Sequence, residues 1–377
     1  MKDKIVKDKR MHDETKALWH MDRVIDHFDK GKRIAPVHID MGLAKFCNVN
    51  CVFCYGKYQA RGKEYIQKDA LVNLMKDAGE IGVRSIGYIG DGEPTVNPYW
   101  QEGMRAGREA GIDMSISTNG VLLDTPEKRA TILDNCEWMR FCFSAGTKEG
   151  YKKIHGVDKF DQAVKNIEAI VQEKKDRGSK CEIGLQGVFV PTLMAEEIVE
   201  EAKLAVRLGV DYMVMKQCSL PDGSEKVGMM QFDLNDYDKP EIRDALRKAE
   251  SYSTDKTQII IKWGLIDQKG RKPYEGCPAI PILLQISGNG DVYPCGHMFW
   301  DQGKKLEDRK FEQYKVGNVH TERFKDMIQS DKYWNIVKAM REDFDVHKDC
   351  SGCCRHDKLN EFLYNYTENK PSGVNFI

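Results

Sequence analysis

Between residue 35 and about 218, short apolar runs alternate with segments whose apolar positions recur every three or four residues. Side chains alternate faces along a strand and return to one face each turn of a helix, so the first pattern predicts strands and the second predicts helices. "VHIDMGLA" reads as the first strand, followed by a helix with Leu71, Leu74, Met75 and Ala78 on one face. "RSIGYIG" is the second strand, and a helix over 97–110 follows it. "DMSIS" and "MRFCFS" are strands on either side of a helix near 126–135. A long helix then presents Phe160, Val164, Ile167, Ile170 and Val171, and "CEIGLQGVFV" and "DYMVMKQ" flank a helix near 194–208. The six βα units have the size of a βαβ repeat. Near-continuous apolar strands between helices predict an α/β fold with a parallel sheet covered on its faces. In such folds, reactive groups sit beyond the carboxyl ends of the strands.

The flanking segments read differently. "MKDKIVKDKRMHDETK" lacks the apolar core of a signal peptide and carries too many acids for a transit peptide. It is expected to be a solvated arm, leading into a short amphipathic helix through Leu18, Met21, Ile25 and Phe28. From 221 to 258 the chain turns polar, as expected of a linker with one charged helix, and 259–377 reads as a smaller α+β module. The expected division is therefore an arm and helix at 1–34, a core at 35–220, a linker at 221–258 and a module at 259–377.

Composition narrows the classes. The 377 residues are 41% hydrophobic and 31% charged, with a formal net charge of −1. Neither the basic stripe of a nucleic-acid binder nor an apolar run long enough for a membrane helix is present, so no nucleic-acid or membrane partner is expected. The expected compartment is the cytoplasm. Without a signal peptide, the twelve cysteines do not read as a disulfide framework. Three fall within 47–54, three within 350–354, and two more are Cys277 and Cys295. These groups read as metal sites, whereas Cys136, Cys142, Cys181 and Cys218 are scattered and read as core residues.

"FCNVNCVFCYGKY" places Cys47, Cys51 and Cys54 directly after the first strand. Four thiolates would close a zinc or cubane site, whereas three leave one coordination position open. A zinc loop or a redox C-x2-C pair competes with this reading. The spacing, the aromatic Phe53 and the position at a strand end together favour an iron–sulfur cluster. With Phe53 before the third cysteine and Tyr55 after it, the motif resembles the signature of the radical S-adenosylmethionine (radical SAM) enzymes.

The resemblance implies a partial (β/α)6 parallel barrel. It also implies a 4Fe–4S cluster on the three thiolates, whose open iron chelates SAM and whose electron cleaves SAM to a 5′-deoxyadenosyl radical. In "GDGEP", Gly92 and Glu93 match the family's glycine–glutamate motif beside the SAM amino group. In "SISTNG", Ser117 and Asn119 are placed to meet the ribose or carboxylate, and Ser144 in "FSAG" is a further cofactor-binding candidate. The resemblance covers residues 36–218.

The C-terminal cysteines follow a pattern of their own: Cys277, Gly290 and Cys295 as C-x12-G-x4-C, then Cys350-x2-Cys353. This resembles the twitch or SPASM-like auxiliary-cluster domains of the same enzymes, in the shorter twitch form that holds one cluster. Four cysteines in distant pairs also suit structural zinc. Beside a radical SAM core they read as ligands of a second 4Fe–4S cluster, with Cys354 able to replace Cys353. His297 reads as a donor or rim residue beside Cys295.

The activity implied is hydrogen abstraction from a substrate C–H bond. The expected outcome is a two-electron oxidation of a small-molecule or carbohydrate-type substrate by an oxidoreductase whose auxiliary cluster accepts the electron. A reducing partner such as flavodoxin or ferredoxin is implied. One alternative is a radical epimerase with Cys218 as hydrogen donor, although a core role for that cysteine is the simpler reading. Lys216 on the same strand reads as a base or an anchor for a substrate anion. The other alternative, a maturase of ribosomal peptides, calls for an N-terminal recognition domain that the arm is too short to form.

Overall fold

Six parallel strands lie side by side in chain order: β1 (His38–Met41), β2 (Ser85–Tyr88), β3 (Asp113–Thr118), β4 (Cys136–Cys142), β5 (Glu182–Phe189) and β6 (Tyr212–Gln217). They belong to a computed structural model that describes residues 14–57, 59, 61–191, 195–218, 226–227, 230–231, 233–350 and 354–375. A short hairpin, β7 (Lys226–Val227) with β8 (Met230–Gln231), stands apart from the main sheet. The remaining strands are β9 (Gln258–Ile261), β10 (Leu283–Ile286), β11 (Asp291–Tyr293) and β12 (Gly317–Asn318). The result is a partial α/β barrel with a C-terminal module.

Strand alternation sorts the barrel wall into two faces. Ile39, Ile86, Ile116, Phe141, Leu185 and Met213 are fully buried on the face that meets the helices. The opposite face carries His38, Asp40, Ser115, Ser117, Arg140, Cys142, Gln186 and Lys216, so the barrel encloses a polar interior. The helices begin where their sequence signals place them. Thr125 caps Pro126–Asn135, with proline in the first turn, and Thr147 caps Lys148–His155 by accepting from the Gly150 N–H.

The sheet does not end with the sixth strand. Inside the polar stretch expected to be a linker, the helix Pro240–Glu250 packs against the helix Glu197–Leu208. It delivers β9 parallel to β6, with Tyr212 opposite Gln258. At the other edge β10 pairs in parallel with β1, Asp40 opposite Gln285, and the antiparallel strands β11 and β12 follow. One hydrophobic core therefore runs from Ile39 and Phe141 in the barrel to Leu284, Val292 and Phe299 in the module. A second, small cluster of Val24, Val37, Ala279, Ile282 and Leu363 joins the helix Met21–Phe28 to the helix Asp357–Thr367. Residues 1–13 of the expected arm lie outside the described residues. Among the described residues, no helix is long and apolar enough to cross a membrane.

Candidate functional site

The loop after β1 carries Cys47, Cys51 and Cys54, all three partly exposed. Burial pushes the Cys51 thiol well above its ordinary range, and the neighbouring sulfurs of Cys54 and Cys47 push it further. Burial likewise brings Cys47 up to about 12, with Glu93 adding to the effect. Thiols whose ionisation burial opposes, as at Cys47 and Cys51, are held as thiolates when a cationic centre binds them. His155 stands behind the loop, with Nδ1 3.1 Å from Cys51 Sγ. Burial brings its imidazole down to about 3, so the ring is neutral.

In the module, Cys277, Cys295, Cys350 and Cys354 line one cavity, with Met298, Met340 and Phe344 among its apolar walls. Burial raises the Cys277 thiol well above its ordinary range, and Cys350 and Cys295 raise it further. The Asn360 amide oxygen lies 3.6 Å from Cys277 Sγ, and the His297 N–H lies 3.4 Å from Cys295 Sγ. The Cys354 backbone N–H donates to Asp357 at 3.3 Å. Asp357 is in turn held by a buried ion pair to Lys272 at 2.9 Å and by the Tyr274 hydroxyl. Cys353 lies outside the described residues.

This cavity and the barrel interior share a wall. Gln285, which lines the cavity, donates to Asp40 on β1 at 3.0 Å, and Arg355 pairs with the same carboxylate. Further round the interior, Arg140 Nε donates to Ser117 Oγ at 2.8 Å. Lys216 faces the same interior, opposite Val188 in the β5–β6 register. Among the described residues it has no carboxylate partner. Burial, followed by the repulsion of Arg140, brings its ammonium down to about 8. Cys218 is buried at the end of β6, with its thiol 3.8 Å from the Phe53 carbonyl oxygen and its N–H donating to the Tyr237 hydroxyl.

The sequence pattern of the radical SAM superfamily matches residues 41–203, and that of SPASM, an iron–sulfur cluster-binding domain, matches residues 277–354. The chain therefore carries a radical SAM domain and a SPASM domain. A "Probable GTP 3′,8-cyclase" of Saccharolobus islandicus (strain M.14.25 / Kamchatka #1) is 26% identical over 288 residues, which is 72% of this chain and 85% of that one. A protein of the same name from Pyrococcus abyssi (strain GE5 / Orsay) is 30% identical over 147 residues, 38% of this chain and 45% of that one. SuiB of Streptococcus suis, bound to its precursor peptide SuiA, superposes with a TM-score of 0.63 at 17% identity, covering 92% of this chain and 78% of that one. Native anSMEcpe with bound AdoMet gives a TM-score of 0.56 at 17% identity, covering 89% of this chain and 95% of that one. At such identities the two structures speak for the fold alone. The radical SAM domain and the SPASM domain imply SAM and 4Fe–4S clusters as cofactors.

Seen as a radical SAM site, the second loop is built by close packing. Gly92 has φ +78°, and a Cβ there would lie 2.2 Å from the Ala44 carbonyl oxygen and 2.5 Å from that of Phe46. Only glycine lets this backbone lie against the cysteine loop. The Glu93 carboxylate, raised by burial, turns inward. It accepts from Thr95 N–H at 3.1 Å, from the Thr95 and Thr118 hydroxyls at 2.6 Å each, and from Asn119 N–H at 2.8 Å. Its backbone N–H is donated to the Phe46 carbonyl at 2.9 Å, which ties this turn to the cysteine loop. Asn119 points its amide at Asn48 at 2.6 Å and at Cys47 Sγ at 3.8 Å, which places it beside the cysteine loop. Ser117 lies beside Arg140, and Ser144 accepts from the Val188 N–H at 3.1 Å while its own N–H meets His155 Nε2 at 3.2 Å. Phe53 packs edge-on to His155, and Tyr55 stacks on Trp300 of the module, with ring centroids 6.0 Å apart.

Sequence reading missed the residues that hold these loops to the module. Lys45 and Asp91 form an ion pair of 2.6 Å with both side chains 3% exposed. Asp91 also accepts from Ser287 Oγ at 2.8 Å and Gly288 N–H at 2.9 Å, and Lys45 donates to Gln302 at 2.9 Å. The pair thus ties the cysteine loop, the "GDGEP" loop and the β10–β11 turn together. Asp91→Ala should leave a buried ammonium without its counter-charge and lower stability by about 3–5 kcal/mol. Urea titration of the reconstituted protein checks this, and a loss below about 1 kcal/mol would mean that the pair behaves as a solvated one. Arg140 was missed although, like Lys216, which the sequence did single out, it is a cation inside an otherwise apolar strand. His155 had no such signal.

Proposed function

We propose that this radical SAM enzyme removes hydrogen from an unactivated C–H bond of a small-molecule or carbohydrate-type substrate and completes a two-electron oxidation, such as alcohol to ketone. The observation that carries the reading is the cavity lined by Cys277, Cys295, Cys350 and Cys354, one wall of which also faces the barrel interior through Gln285. Four thiolates leave no open position on a cubane, which suits electron acceptance better than substrate binding. On this reading Cys354 is the fourth ligand, and residues 259–377 serve as the cluster-holding module beside the core at 35–220. When bound, SAM and its cluster supply the hydrogen-abstracting radical.

The chain's own residues do the rest. Arg140, beside Ser117, and Lys216 offer positive charge to an anionic group on SAM or the substrate. Lys216, with its ammonium brought down to about 8, can also take the hydroxyl proton that an alcohol loses as the second electron leaves. Tyr55 stacked on Trp300 and Gln59 donating to the Gly296 carbonyl at 3.3 Å hold the cysteine loop against the module. A flavodoxin or ferredoxin would supply the first electron.

The test incubates reconstituted enzyme, SAM and reductant with candidate metabolites and follows 5′-deoxyadenosine and oxidised product by mass spectrometry. GTP and short peptides belong in the panel, because relatives carry the name GTP 3′,8-cyclase and SuiB binds a precursor peptide. A product isomeric with its substrate, formed with no net oxidation, would overturn the oxidation reading.

Epimerisation is the second reading, favoured by the Cys218 thiol lying against the Phe53 carbonyl in the cysteine loop. If Cys218 returns the hydrogen atom, Cys218→Ala should still form 5′-deoxyadenosine but stall at a substrate radical or divert to another product. Unchanged turnover would remove this reading.

A further inference from the structure

We propose that His155 donates its Nδ1–H to Cys51 Sγ and thereby raises the reduction potential of the cluster that Cys51 helps hold. This rests on the assignment of Cys47, Cys51 and Cys54 as cluster ligands. The direction of the bond follows from what the other ring nitrogen does. The Ser144 backbone N–H points at Nε2 from 3.2 Å, and an N–H can only donate. Nε2 therefore presents its lone pair, and the ring proton sits on Nδ1, 3.1 Å from Cys51 Sγ. Cys51 is then the acceptor, which is the role a metal-bound thiolate can fill.

The ring has little freedom to turn away. His155 ends the helix Lys148–His155, and that helix end is stitched to the cysteine loop twice. Asn50 N–H donates to the His155 carbonyl and Val52 N–H to that of Ile154, each at 2.9 Å. The next residue, Gly156, has φ +67°, and a Cβ there would lie 2.8 Å from the Asn50 carbonyl oxygen. Tyr151 packs on the imidazole with centroids 4.3 Å apart, and His155 itself is 1% exposed. Water cannot take the place of the donor in such a site. Asn119 also aims a side-chain N–H at a sulfur of the loop, but at 3.8 Å from Cys47 Sγ that contact is weaker.

An N–H donor to a ligand sulfur stabilises the more negative state of a cluster, so it favours the reduced form. His155 is a positioning and tuning residue rather than a ligand. The measurements are iron content and a redox titration, by electron paramagnetic resonance, of the holoenzyme signal that changes when SAM is added. That change separates the first cluster from the one in the module. In His155→Leu, iron should stay at the unaltered protein's level and the one-electron reduction should become about tenfold less favourable, a fall of about 59 mV. His155→Asn keeps an amide N–H near the Nδ1 position and should restore most of the shift. An unchanged potential in His155→Leu at full iron would overturn the proposal.

A second measurement needs no substitution. In protein grown with 15N-histidine, pulsed electron paramagnetic resonance on the SAM-responsive signal should show a coupled 15N nucleus. Absence of that coupling overturns the proposal even where His155→Leu assembles no cluster. Absence of any SAM-responsive cluster in the unaltered protein would instead overturn the ligand assignment beneath it.

Discussion

Cys47, Cys51 and Cys54 changed together to alanine should leave about four of about eight irons per chain and no SAM cleavage at all. The loss is expected to be complete because these thiols supply every protein ligand to the cluster with the open position. The remaining iron should stay because Cys277, Cys295, Cys350 and Cys354 line a separate cavity that draws on none of the three. The fold should survive as well. The loop is partly exposed, and its attachments to the barrel are backbone bonds from Asn50 and Val52 and the Glu93 N–H donated to Phe46, none of which needs a thiol. Anaerobic reconstitution, iron and sulfide analysis, and a 5′-deoxyadenosine assay check all three points. Stoichiometric zinc without iron in the unaltered protein would show that the three thiols serve another metal.

The signals that survived from sequence to structure are local. The cysteine loop, the turn around Gly92 and the strand end at Asn119 each fall within a few residues of a predicted strand, and the parallel sheet delivers them to one end of the barrel. What could not be read locally depends on partners far apart in the chain. Lys45 and Asp91 meet Ser287 and Gly288 only because β10 joins β1, a pairing that no periodicity reports. His155 meets Cys51 across 104 positions, from a helix end that looks like any other histidine before glycine. The stretch at 221–258 reads as a linker with one charged helix, but its polarity hides that the helix Pro240–Glu250 packs on the barrel and that the short apolar run "QIII" after it extends the sheet. The inner face was also under-read. In "MRFCFS" and "DYMVMKQ" a cation stands among apolar residues, and alternation turns Arg140 and Lys216 into the barrel interior.

Cys295→Ala should separate the two halves of the chemistry. A cubane that loses one of four thiolates loses the closed site that locks its ligands, and metal binding free energy in such a site is also folding free energy. The second cluster should therefore be lost while the first remains. Loosening should concentrate where the cavity wall is made, in the β10–β11 hairpin, around Cys350 and Cys354, and at Asn360. Because β10 is hydrogen-bonded to β1, the loosening should reach that edge of the barrel and fade before β3, which lies two strands further in. Hydrogen exchange should report that gradient. SAM cleavage without substrate turnover should persist, since Cys47, Cys51 and Cys54 are untouched. Conversion of substrate should fall to background, because the electron acceptor is gone and Gln285, Trp300 and Arg355 no longer hold their side of the interior. Near-normal product from a variant shown to hold about four irons would mean that the module's cysteines are peripheral to the reaction and that the substrate electron goes elsewhere.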